Sequence, residues 1–73
     1  MDKAAFFAAI AEILEVDGSG LTGEENVRDI GNWDSLSVIS FVAMVDSDLG
    51  RIVDGEKLKS AVTLNDLAAV AGL

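Results

Sequence analysis

Ser35 has the setting in this chain that best suits chemistry. It lies between Asp34 and Leu36, after a glycine-containing stretch and before a mostly apolar run. If a helix starts there, its unpaired N–H groups and the positive end of its dipole favour a phosphate on that hydroxyl. The chain has no His and no Cys. No Ser–His or Cys–His pair can therefore activate a nucleophile from within. If Ser35 reacts, the base must come from another protein. The plainer role for the same residue is a helix cap. The same absences exclude a zinc site built from thiolates and imidazoles, and any disulfide.

Charge narrows the partners. The 73 residues carry 13 acidic and 5 basic side chains, a net charge of −8. That balance opposes nucleic acid, which needs a basic footprint, and anionic membrane surfaces. It favours partners with basic patches. Calcium helix–loop–helix spacing fails. Counted from Asp46, position 6 is Arg51 instead of Gly and position 12 is Lys57 instead of Glu. Counted from Asp17, position 5 is Leu21 and position 12 is Arg28. Residues 1–16 do not read as a signal peptide, because Glu12 and Glu15 interrupt the apolar run. The longest uncharged stretch, between Asp34 and Asp46, has 11 residues, too short to cross a bilayer. The expectation is one domain over residues 1–73, a cytoplasmic monomer with no metal site and no membrane insertion.

The elements around Ser35 follow from periodicity. Residues 3–16 predict a helix with Phe6, Ile10, Ile13 and Leu14 on one stripe and Phe7 at its edge. Asp2 can cap its start and Gly18 its exit. Residues 18–33 read as a long connection broken by Gly18, Gly20, Gly23 and Gly31, with Leu21, Val27 and Ile30 as anchors. Residues 35–49 predict the central helix, capped by Asp34, stapled by Trp33 onto Val38 and ended by Gly50. A short helix after Asp54 would carry Leu58, Ala61 and Val62. Thr63-Leu64-Asn65-Asp66 has the form of a capping box for a last helix with Leu64, Leu67, Ala68 and Ala71 inward. No strand alternation is present. The fold class expected is all-α: a small bundle of three main helices plus one short one.

At about 100° per residue, Val38, Phe41, Val42, Val45 and Leu49 form one core stripe of the central helix. Leu36, Ile39 and Ala43 fall off that stripe, on the side of Ser35, with Asp46 beside them. Either the helix is buried nearly all round, or this strip is a docking surface.

Asp34-Ser35-Leu36 resembles the D-S-L signature of acyl carrier proteins and related thiolation domains. The likeness spans essentially the whole chain. Asn26-Val27-Arg28-Asp29-Ile30-Gly31 is similar to the family's approach to its serine, and Thr63-Leu64-Asn65-Asp66-Leu67 to the start of its last helix. The resemblance implies a carrier that is not itself an enzyme. A phosphopantetheinyl transferase would join Ser35 Oγ to the 4′-phosphopantetheine of coenzyme A. The arm's thiol would then carry an acyl group as a thioester to loading and processing enzymes with basic patches. It also implies partner recognition through Asp34, Leu36, Ile39, Ala43 and Asp46. Two departures stand out. The usual L-G-x-D-S-L approach has one residue between Gly and Asp, whereas Gly31-Asn32-Trp33-Asp34 has two, like a W-D-S-L subgroup. Ser37 and Ser40 also stand where fatty-acid-synthesis carriers usually have acids. The resemblance therefore points to a specialised free-standing carrier, for acyl groups of fatty-acid, polyketide or similar metabolism. Aminoacyl or peptidyl cargo is the alternative, and an unmodified helical interaction module the further one.

Overall fold

Alanines at 4, 5, 8, 9 and 11 supply helix propensity to the N-terminal segment, and Asp2 starts it by accepting the Ala5 N–H at 2.8 Å. The computed structural model describes all residues, Met1–Leu73. It contains α1 (Lys3–Leu14), α2 (Val27–Ile30), α3 (Ser35–Leu49), α4 (Gly55–Ser60) and α5 (Leu64–Val70). There is no strand, only an isolated antiparallel bridge between Asn26 and Thr63. The all-α bundle expected from periodicity is what forms, with one extra turn of helix.

Several boundaries differ from expectation. α1 stops at Leu14, and Glu15, not Gly18, adopts the left-handed turn at φ 59°. That conformation is uncommon for a residue with a side chain. The stretch 18–33 is not all loop, because Asn26 accepts the Arg28 N–H at 2.9 Å and nucleates α2. Ala61 and Val62 lie beyond α4; Ala61 is buried, whereas Val62 is exposed. Trp33 sets its ring edge-on against Phe41, with centroids 5.9 Å apart.

The core sits between α1, α3 and α5. Phe6, Ile10, Val27, Phe41, Val45, Leu64, Leu67, Ala68 and Ala71 are fully buried. Phe6 meets Phe41 edge-on at 6.0 Å, which joins α1 to α3. The loop before α2 is stitched to the segment before α5. Val27 N–H donates to Val62 O at 3.0 Å, Leu64 N–H to Glu25 O at 3.1 Å and Asn65 N–H to Gly23 O at 2.8 Å. Gly23 sits at φ 100°, and a Cβ there would run into the Asn65 side chain. α4 is the outlier: it buries no residue and packs on α5.

α3 is rotated relative to the expected stripe. Its buried residues are Ser37, Phe41 and Val45, whereas Val42 is 38% exposed. Val42 is therefore not a core residue, and Ser37, read from sequence as a surface position, is buried. The core face turns toward Ser37 because that hydroxyl finds hydrogen-bond partners, which removes the usual cost of burying it.

Candidate functional site

Ser35 is the first residue of α3 and is exposed. Asp34 precedes it with extended backbone and caps the helix. Asp34 Oδ1 accepts the Ser37 N–H at 3.0 Å and lies 3.2 Å from Ser37 Oγ. Asp34 Oδ2 accepts from Asn32 Nδ2 at 3.0 Å. The Ser37 backbone N–H above all holds the Asp34 carboxyl below its ordinary range, with the Ser37 hydroxyl adding to the effect. Asp34 is thus a fixed anion beside Ser35, locked by hydrogen bonds and not by a cation.

The serines divide by what their hydroxyls do. Ser37 Oγ donates within the loop, Ser47 Oγ donates to Asp48 and Ser60 Oγ to the Glu56 carbonyl. Ser35 Oγ and Ser40 Oγ make no hydrogen bond within the chain, and both residues are exposed. Of these two, Ser35 stands at the capped start of α3, so the Asp34-Ser35-Leu36 triplet presents a free hydroxyl at a helix N-terminus. No Lys, His or Cys lies in that triplet to deprotonate it.

Two depressions flank α3. One is an apolar groove of about 590 Å³ between α3 and residues 51–53. Val38, Ile39, Val42, Ala43 and Ile52 line it, with Asp46 and Arg51 at its margin. The other, of about 250 Å³, is a smaller polar cleft between the end of α1 and the start of α3. Glu15, Asn32, Asp34, Leu36 and Ser40 line it.

The residues singled out for recognition are all exposed, Leu36 by 73% and Ile39 by 64%, so α3 is not buried all round. They do not form one strip, however. Ile39, Ala43 and Asp46 belong to the apolar groove, whereas Asp34 and Leu36 belong to the polar cleft. Sequence reasoning missed Ile52, which is 94% exposed on the far wall of the groove. Its signal was an apolar pair, Ile52-Val53, standing alone in a short connection. Sequence reasoning also missed Asn32, whose only signal was a short polar side chain two residues before a cap.

These residues fit a phosphate-linked arm. The hydroxyl is free and exposed, and it stands at the N-terminus of a 15-residue helix, where backbone dipoles favour an anion. A family model described as a phosphopantetheine attachment site matches residues 4–71. No curated protein and no solved structure matches the chain significantly. With nearly its whole length matched, the chain belongs to the phosphopantetheine-binding carrier family, whose members hold 4′-phosphopantetheine covalently on a serine.

Proposed function

We propose that Ser35 is the attachment residue and that the chain is an acyl carrier, holding acyl groups as thioesters for biosynthetic enzymes. The observation that carries this reading is the unengaged, exposed Ser35 hydroxyl at the capped start of α3. A phosphopantetheinyl transferase would supply the base. The Ser35 Oγ–phosphorus bond forms as the phosphoanhydride of coenzyme A breaks, the hydroxyl proton passes to the transferase and the adenosine bisphosphate leaves. The arm's thiol then bears the cargo, and this chain positions it without performing the chemistry.

Acyl cargo is favoured over aminoacyl or peptidyl cargo by the apolar groove that begins one turn along α3 from Ser35, whose walls include Val38, Ile39, Val42 and Ile52. An alkyl chain would gain about 25 cal/mol for each Å² it removes from water there. The net charge of −8 supports partners whose docking faces are basic, and a chain that stays monomeric through self-repulsion. Fatty-acid, polyketide and other specialised lipid pathways all fit such a carrier, and a cytoplasmic location suits it.

Incubation with coenzyme A and a broad-range phosphopantetheinyl transferase tests the assignment by intact mass. One phosphopantetheine adds to the wild-type chain and none to Ser35→Ala. No mass gain in the wild type, with a transferase active on another carrier, would sink it.

A further inference from the structure

Ser37 stands where the resemblance leads one to expect a surface acid, yet only 7% of it is exposed. Alanine would fill such a buried helical position with better propensity. The hydroxyl therefore needs a reason, and its bonds supply one. Its single proton is shared between Asn32 O at 2.9 Å and Asp34 Oδ1 at 3.2 Å. The Ser37 N–H adds a second tie to Asp34 Oδ1, and Asn32 Nδ2 takes the other carboxylate oxygen. Residues 32–37 thus close on themselves through both oxygens of Asp34. Trp33 fastens the same segment to the core by lying against Phe41. Within this closed segment Ser35 and Leu36 alone are exposed with no side-chain hydrogen bond, so they form its presented apex.

We propose that Ser37 and Asn32 are positioning residues for the transferase reaction: they hold Asp34, and through it the backbone around Ser35, in the geometry that the transferase binds. The inference rests on the reading of Ser35 as the acceptor. Glu15, just past the end of α1, lines the same cleft as Asp34. The ties from Ser37 and Asn32 hold the carboxylate in place. Loosening them spreads the segment over more conformations. A partner that binds one of these then sees its affinity reduced by the fraction that remains competent. The consequence falls on binding, not on the bond-making step.

The experiment is steady-state modification by a phosphopantetheinyl transferase at saturating coenzyme A, over a range of carrier concentration. Ser37→Ala should raise KM for the carrier about tenfold, in line with loss of a hydrogen bond to a charged group, and leave kcat within about twofold. Ser37→Thr, which keeps the hydroxyl, should restore KM to within about twofold of wild type. Asn32→Ala changes an exposed residue and so keeps the fold; its KM should rise about threefold. Thr63→Ala loosens the cap of α5 instead, lowers the melting temperature and should leave KM unchanged. Wild-type KM in both Ser37→Ala and Asn32→Ala overturns the proposal. So does a KM that simply follows melting temperature across all variants, Thr63→Ala included. Modification that persists in Ser35→Ala overturns the acceptor assignment itself, a failure separate from an unchanged KM.

Discussion

The starts of α3 and α5 both carry a side-chain cap, yet one is exposed and the other leads into the core. At α5, Thr63 Oγ1 accepts the Asp66 N–H at 3.1 Å, and Asp66 Oδ2 accepts from the Val62 and Thr63 N–H groups at 2.9 and 3.0 Å. At α3, Asp34 is the cap and Ser37 donates to it twice, from its N–H and its hydroxyl, with no side chain accepting from the Asp34 N–H in return. The residue after the cap differs. Leu64 is fully buried, whereas Ser35 is exposed. The surroundings differ too. The α5 start is fastened across the chain to Val27 and Glu25, whereas the α3 start is held mainly by bonds within residues 32–37. One cap anchors a core and the other presents a hydroxyl. The local motif therefore does not decide the role; what lies behind it does.

The largest test of this contrast swaps apolar side chains. Leu64→Ala should cost about 2–5 kcal/mol through lost burial and a cavity. Ile39→Ser and Val42→Ala, on the outer face of α3, should each cost about 1 kcal/mol or less in urea unfolding. Ile39→Ser should instead slow modification by the transferase. Cooperative unfolding of Ile39→Ser at a much lower temperature would erase the distinction between the two regions.

A smaller effect separates the caps themselves. Thr63→Ala should cost about 1 kcal/mol of stability without touching the transferase reaction. Asp34→Ala should cost a similar amount and also slow modification. Equal modification rates in the two variants would mean that the start of α3 is only another cap.

Acid should weaken both starts. Hydrogen bonds from Thr63 and Val62 hold the Asp66 carboxyl below its ordinary range, as those from Ser37 do for Asp34. A carboxyl with a lowered folded value contributes stability above the unfolded value of about 3.9, and that contribution is lost as pH falls through the folded value. Urea midpoints should therefore drop as pH is lowered below about 4. The drop should be shallower in Asp66→Asn and in Asp34→Asn. An acid limb unchanged in Asp34→Asn would show that the anion adds nothing to the α3 cap.

Salt gives the smallest shift. The chain has one ion pair, Lys59 with Glu56 at 4.0 Å, and both side chains are exposed. Thirteen acids otherwise repel one another. Added salt should raise the melting temperature modestly by screening. A fall would make attraction, not repulsion, the dominant charge effect.

Much of the scaffold was legible. α3 runs over the span expected because Asp34 and Gly50 bracket it, and Gly50 takes the left-handed turn at φ 65°. The capping box marked α5 for the same reason. Four residues of α2 were hidden because so short a helix has no periodicity to read; only the Asn26 cap betrays it. The rotation of α3 was hidden because a hydropathy wheel turns every serine outward. Ser37 turns inward because Asn32 and Asp34 satisfy it, a fact that spacing cannot express. Of the site, angular position set Leu36 and Ile39 off the core stripe but left burial all round open; their exposure is a finding of the structure. The division of their neighbourhood into an apolar groove and a polar cleft was not legible either, because it depends on where residues 51–53 and the end of α1 come to rest.

The stitch between residues 23–27 and 62–65 has a consequence for the order of folding. Its hydrogen bonds join segments nearly forty positions apart, as from Leu64 to Glu25. Closing so long a loop is entropically slow compared with forming any single helix. α1 and α3 can meet early, yet Leu64, Leu67, Ala68 and Ala71 arrive only with the last segment. Synthesis runs from the N-terminus, so a ribosome must release nearly all of this chain before its core has a wall on that side. Until then, Val27 has no lasting partner, and Ser35 stands on a helix whose inner face is still wet.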